Sequence, residues 1–311
     1  MYFNFFHVFI QQHGLYCIAF SVNLTDSTMC TSIPTYPGRY GSGASVMQYF
    51  EDLHMVAACG TYQTHPTDQN CYQLSAGAQP AWQAMPPLEI EHCPFPSHTS
   101  SHYYTDHGWL VIGQDGDCNT YDSPTTTELF DVNQNTWTQP QIISPTNTTG
   151  YPWGACSVKL DEDRVLVSGG NANEQILSAI WILNLNDFSW SEPTQMPEPR
   201  YSHGCTLTSS GEVMIAGGYS SHSNSLASTL IYNVDSNTWR ETYDLPEDVE
   251  YTAGSAMLLW NGKPIFLEAV NGNIWMLDNF GWERLEATLG AEFNGGWDTA
   301  TLVPASDFEC P

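Results

Sequence analysis

A chain of 311 residues with 41% hydrophobic and 13% aromatic residues has the material for one substantial buried core, and no long polar tract divides it. Its 34 acidic against 7 basic side chains give a formal charge of −27, which repels phosphate backbones and anionic lipid and argues against nucleic-acid binding. The excess acid suits solubility, cations or a basic partner, and no apolar run reaches the roughly 18 residues of a membrane span, so membrane insertion is not expected.

A repeat near 50 residues organises the chain, and Tyr151, Tyr201 and Tyr251 open three units spaced by 50. In chain order, residues 1–21 are apolar but lack Lys or Arg before Arg39 and are interrupted by Gln11-Gln12-His13-Gly14. A secretory peptide and a pair of strands both account for them. Val22 to Met29 aligns with LNLNDFSW (183–190), with Met29 in the Trp place, and Pro37-Gly38-Arg39-Tyr40 aligns with the Pro-x-x-Arg-Tyr ending of a unit. The strand reading is therefore preferred, with Phe5 to Ile10 and Leu15 to Ser21 as strands of a blade.

Five complete units follow at 38–90, 91–145, 146–196, 197–247 and 248–290. The clearest pair reads YPWGACSVKLDEDRVLVSGG (151–170) and YSHGCTLTSSGEVMIAGG (201–218): an apolar strand, a polar turn and a second apolar strand ending in two glycines. A variable loop comes next, then a β-rich run closing on Trp, at Trp82, Trp137, Trp190, Trp239 and Trp282. Turn formers such as Asp235-Ser236-Asn237 and Asn261-Gly262 suit antiparallel hairpins. Gly295 to Leu302 reads as the opening strand of another unit, so the expected sixth blade combines 1–37 with 291–311 in a single domain spanning 1–311.

The double Gly, the Trp about 20 residues later and the Met196-Pro197 and Arg200-Tyr201 that follow resemble Kelch repeats, over nearly the whole chain and most closely from Tyr151 to Leu245. The resemblance implies an all-β Kelch-type β-propeller of six four-stranded blades, closed by pairing the N- and C-terminal strands so that no sheet edge is left open. Cys59-Gly60, Ile112-Gly113 and Glu268-Ala269 replace the Gly pair in units one, two and five. Folding explains these motif residues: glycine permits positive φ, and Trp fills the wedge between blades.

Nine cysteines and the sequons at Asn23 and Asn147 favour an extracellular, disulfide-bonded glycoprotein over a cytoplasmic protein. Cys59 and Cys71 bracket a loop within unit one and are a candidate disulfide, as are Cys17 and Cys30 around a similar turn. Cys156 and Cys205 occupy nearly equivalent inner-strand positions and read as small buried thiols. Asp115, Asp117 and Asn119 place oxygens at alternate positions, as calcium requires, although Thr120 stands where a calcium loop has Gly. His98, His102, His107 and His203 lie in or beside inner strands, but spacing supplies neither a metal set nor an oriented nucleophile. No cofactor is expected. The related galactose-oxidase architecture holds copper, but a matching Tyr, His and Cys constellation is not found here.

What remains is surface recognition. Tyr40, Tyr151, Tyr201 and Tyr251 recur at the start of inner strands, with Trp153, His203 and Trp297 close by, where loops ring the channel. Inter-blade packing absorbs the tyrosines; Trp153 and Trp297 fit the repeat less well and are the better exposed contacts. The expected function is a non-catalytic scaffold that binds a protein or glycan. The alternatives are a carbohydrate-active enzyme on the same fold, copper oxidase-like or a sugar epimerase, and an intracellular substrate adaptor.

Overall fold

The computed structural model describes residues 6–10, 20–23, 29–30, 34, 37, 46–60, 69–77, 80–90, 99–114, 125–140, 151–221, 224–246, 256–268, 272–288 and 300–304. All regular elements there are strands. β1 (Phe6–Ile10), β2 (Phe20–Asn23) and β3 (Met29–Cys30) open the chain. Blade I comprises β4 (Val46–Phe50), β5 (Met55–Cys59), β6 (Cys71–Ser75) and β7 (Trp82–Met85). Blade II comprises β8 (Thr99–Tyr104), β9 (Gly108–Gln114), β10 (Thr125–Asp131) and β11 (Thr136–Thr138). Blade III has β12 (Cys156–Lys159) and β13 (Arg164–Ser168), a ribbon of β14 (Asn171–Ala172) and β15 (Gln175–Ile176), then β16 (Ala179–Asn184), β17 (Ser189–Trp190) and β18 (Thr194–Gln195). Blade IV has β19 (Gly204–Leu207) and β20 (Val213–Ala216), a ribbon of β21 (Tyr219–Ser221) and β22 (Asn224–Ser225), then β23 (Thr229–Asn233) and β24 (Thr238–Glu241). Blade V comprises β25 (Ala256–Trp260), β26 (Lys263–Leu267), β27 (Asn273–Asp278) and β28 (Gly281–Thr288), and β29 (Ala300–Pro304) comes last.

Each blade is an antiparallel meander, and the innermost strands β4, β8, β12, β19, β25 and β29 contact one another in a closed circuit. The expected count of six blades is corrected to five from contiguous stretches of chain; the ends expected to form the sixth contribute a composite sheet, in the order β29-β1-β2-β3. β1 pairs with β29 from Phe6↔Pro304 to Ile10↔Ala300, so opposite ends of the chain share one ladder. The Val22↔Met29 pair of that sheet repeats the Leu183↔Trp190 pair of blade III.

Second strands read as continuous apolar runs because both their faces are covered by neighbouring blades; β5, β20 and most of β13 are buried throughout. The cores accordingly lie between blades. One joins Phe50 and Cys59 of blade I to Tyr103, Trp109 and Val111 of blade II, and another joins Val158 and Leu166 of blade III to Cys205 and Ile215 of blade IV. Phe50 and Tyr103 stack across the first seam with ring centroids 4.2 Å apart, a contact worth about 1 kcal/mol beyond the area it buries. The closing tryptophans tie each blade to its predecessor: Nε1 of Trp82, Trp137 and Trp282 donates to the carbonyls of Pro34, Pro86 and Tyr243 at 2.8, 2.9 and 3.0 Å.

The Gly pair is a steric requirement. Gly169 and Gly170 have φ of 60° and 91°, and a Cβ on Gly169 would lie 2.2 Å from the Arg200 carbonyl oxygen. In blade V, buried Glu268 takes this place and its Oε2 accepts hydrogen bonds from Asn273 Nδ2 at 2.7 Å and Trp275 Nε1 at 3.2 Å.

Candidate recognition surface

In a four-stranded meander, the joins between second and third strands emerge on the same face as the joins to the next blade. The two-residue turns emerge on the other face. The β14–β15 and β21–β22 ribbons therefore stand on the loop face, on either side of the seam between blades III and IV.

Two equivalent bridges build this seam. Trp153 N donates to Asn171 O at 3.1 Å and Asn171 N to Trp153 O at 2.8 Å; Tyr201 and Tyr219 exchange the same pair of bonds at 3.0 Å each. Structurally, then, Trp153 corresponds to Tyr201, which shifts the expected equivalence of Tyr151 and Tyr201 by two residues. The left-handed residues confirm the shift: Gly154 (φ 68°) precedes one inner strand where Ser202 (φ 53°) precedes the next. A non-glycine residue held there stores backbone strain of about 1–3 kcal/mol.

The rings of Trp153, Tyr201 and Tyr219 form a ladder across the seam, with centroids 4.9 Å apart for the first pair and 5.7 Å for the second. Tyr201 and His203 are buried in the seam and Tyr151 is buried in the core between blades II and III, whereas Trp153 and Tyr219 are half-buried. Sequence reasoning missed Tyr219, whose signal was its place directly after the Gly217-Gly218 pair. Tyr40, Tyr251, Trp297, Asp115, Asp117, Asn119, Asn147 and Cys17 lie outside the described residues, and the side chains of Asn23 and Cys30 are likewise undescribed.

The histidines are dispersed among seams. His102 Nε2 meets Ser157 Oγ at 2.7 Å, with burial and then the Lys159 charge pulling its imidazole down to about 4. His107 Nε2 meets Asp163 Oδ1 at 3.0 Å. His203 Nε2 meets Ser168 Oγ at 2.8 Å, and burial followed by the Arg200 charge pulls it down to about 3 from 6.5. Folded His203 thus binds fewer protons than the unfolded chain between pH 6.5 and about 3. Its contribution to stability is full above that window and is lost as pH falls through it. Thermal melts from pH 7 to 4 are expected to show a falling midpoint, with a shallower fall in His203→Gln; an equal slope in both proteins would remove His203 as a cause.

Arg200 is fully buried, and desolvation brings its guanidinium down to about 10. Nη1 donates to Gly217 O at 3.1 Å and Ser228 O at 3.2 Å, and Nη2 to Ser228 Oγ at 3.0 Å, so the side chain locks blade IV to the loop entering it.

Two disulfides are present among the described residues. Cys59–Cys71 joins directly opposed residues of β5 and β6, as expected. Cys156–Cys205 joins β12 to β19 across the seam, with Cα atoms 6.0 Å apart. That corrects the reading of these two as separate buried thiols. With Trp153 matched to Tyr201, Cys205 falls one place beyond the position equivalent to Cys156. Side chains alternate along a strand, so this offset points the two sulfurs at each other from adjacent blades.

This architecture of antiparallel blades sharing inter-blade cores defines a Kelch-type β-propeller. Residues 43–267 match the KLHDC2/KLHL20/DRC7 Kelch-repeats domain, and the chain belongs to that Kelch-repeat family. It is similar to human Kelch domain-containing protein 10, at 35% identity over 94 residues that cover 29% of this chain and 21% of the relative. It is also similar to human Kelch domain-containing protein 1, at 25% over 123 residues covering 38% and 30%. Acyl-CoA-binding domain-containing protein 4 of Arabidopsis thaliana matches at 25% over 224 residues covering 66% and 32%. The matches thus span about a third or less of these relatives' lengths. The solved structure of YjhT superposes with a TM-score of 0.62 at 10% identity, covering 86% of this chain and 90% of that one, a likeness of fold. Among the described residues, no helix is long and apolar enough to cross a membrane.

Proposed function

We propose that this chain is a non-catalytic recognition module whose partner is a protein, engaged on the loop face at the seam between blades III and IV. The Trp153–Tyr201–Tyr219 ladder carries the reading, because rigid aromatic side chains on a fixed rim supply contact area at little entropic cost. Trp297, Tyr40 and Tyr251 stand in joins to inner strands and are proposed for the same face. The composite sheet serves as the closing blade of a single domain over 1–311. The two disulfides support an oxidising, extracellular setting.

The test is affinity enrichment followed by binding measurements with the purified partner, comparing wild type with Trp153→Ala, Tyr219→Ala and Trp297→Ala. Phe280→Ala serves as the control, since Phe280 is 89% exposed on a hairpin turn of the opposite face. Losing Trp153 or Tyr219 is expected to weaken the partner at least about tenfold, as truncation of an aromatic hot spot does. Phe280→Ala is expected to bind normally. Undiminished binding by both ladder variants, or binding to glycans with no protein captured, would overturn the assignment.

A further inference from the structure

The formal charge of −27 gives the molecule a negative potential, and the described joins of the loop face supply no exposed basic side chain to offset it. Among the described basic residues, Arg200 alone lies in a join on the loop face, and its side chain is buried and committed to Gly217 and Ser228. Lys159, Arg164 and Arg240 pair with Glu162, Asp161 and Glu212 near the opposite turns. The joins at the III/IV seam carry exposed Glu174 and half-buried Glu198. The aromatic ladder therefore stands in a field that attracts cations.

A second observation is independent of that charge. Asn171 Oδ1, Ser202 Oγ and His203 Nδ1 are buried side-chain atoms of the seam with no hydrogen-bond partner among the described residues, on residues 2%, 5% and 4% exposed. Three such atoms in one seam are costly to leave unmatched. Gly154 lets the entering loop pack closely against this set, since a Cβ there would lie 3.0 Å from Ser202 Oγ and 3.3 Å from the Tyr201 ring. Ser168 Oγ donates to Cys156 O at 3.4 Å, so it takes the Nε2 proton of His203 and leaves Nδ1 an acceptor. The unmatched set can thus accept from a donor-rich group.

We propose that the partner docks through an arginine side chain, its guanidinium lying against the Trp153 and Tyr219 rings and donating to Ser202 Oγ and Asn171 Oδ1 beside the acidic joins. A guanidinium meets each requirement: it is cationic, planar enough to stack, weakly hydrated and rich in fixed donors. An ammonium has the charge without the plane, and a carboxylate would find acceptors and negative potential. This inference rests on the recognition reading above and specifies the partner's chemistry.

The test uses fluorescence anisotropy at physiological salt with a labelled peptide of alternating Gly and Arg, its lysine analogue, and its citrulline analogue, which keeps the shape and loses the charge. The Arg peptide is expected to bind about tenfold more tightly than the citrulline peptide and several-fold more tightly than the lysine peptide. Trp153→Ala and Tyr219→Ala leave net charge unchanged, so general attraction to an acidic protein survives in them. Both are expected to lose the preference for Arg over citrulline, and Ser202→Gly, which suits the left-handed backbone, is expected to reduce it. Equal binding of Arg and citrulline peptides, or a preference unmoved by both ladder variants, would overturn the inference. If Trp153→Ala still abolished partner capture in that event, recognition at the seam would stand and only the arginine would fall.

Discussion

Replacing Cys156 and Cys205 together with Ala is expected to cost about 4 kcal/mol of stability, because the bond closes a 49-residue separation and so restricts the unfolded chain more than a short loop would. Cys59–Cys71, with a separation of 12, is expected to contribute about 3 kcal/mol on the same chain-entropy reasoning. For a chain of this length 4 kcal/mol corresponds to roughly 6 °C in Tm. The staple joins the inner strands of blades III and IV, so its loss should also loosen the seam beneath the aromatic ladder. The measurements are melting curves of the double variant against wild type and a thiol count under non-reducing denaturation. An unchanged Tm, or free thiols at both positions in wild type, would refute the staple.

Arg200→Met is expected to destabilise the fold by about 3 kcal/mol or more. The change keeps much of the side chain's bulk but strands the Gly217 carbonyl and Ser228 Oγ, which its guanidinium satisfies inside the seam, and leaves Ser228 O only its bond from Gly217 N. Arg200→Lys should recover only part of the loss, because a single ammonium cannot replace two nitrogens that reach three acceptors in fixed directions. Denaturant titration reads both variants. A loss below about 0.5 kcal/mol in Arg200→Met would mean that the buried guanidinium contributes no net stability. Because Arg200 and the disulfide share one seam, the two changes together should depart from additivity.

Much of the architecture was legible without coordinates. Continuous apolar runs ending in Gly-Gly identify second strands because only a strand covered on both faces can be apolar throughout. Asn261-Gly262 marks a hairpin because both residues must take positive φ, as they do at 49° and 75°. The Val22↔Met29 pair of β2 and β3 followed from aligning Val22 to Met29 with blade III, whereas the strand expected at Leu15 to Ser21 is described at Phe20–Asn23.

The seam was not legible in the same way. A period of 50 aligned Tyr151 with Tyr201, but the backbone bridges match Trp153 to Tyr201, because loop lengths before the inner strands differ by two residues and periodicity counts them regardless of pairing. That error concealed the one-residue offset that turns Cys156 and Cys205 toward each other. Tyr219 was marked only by its place after the Gly217-Gly218 pair, and Ser202 gave no sign that it would occupy a left-handed position where the preceding blade uses Gly154.

The sequence by itself determined the repeat, the strand order within each blade, the Trp and Gly positions and the acidic charge, since these are local properties of composition and spacing. Tertiary structure alone decided which residues face one another across a seam. Inter-blade contacts depend on the phase of alternating side chains in two strands about 50 residues apart, and a shift of one residue reverses the face each side chain presents.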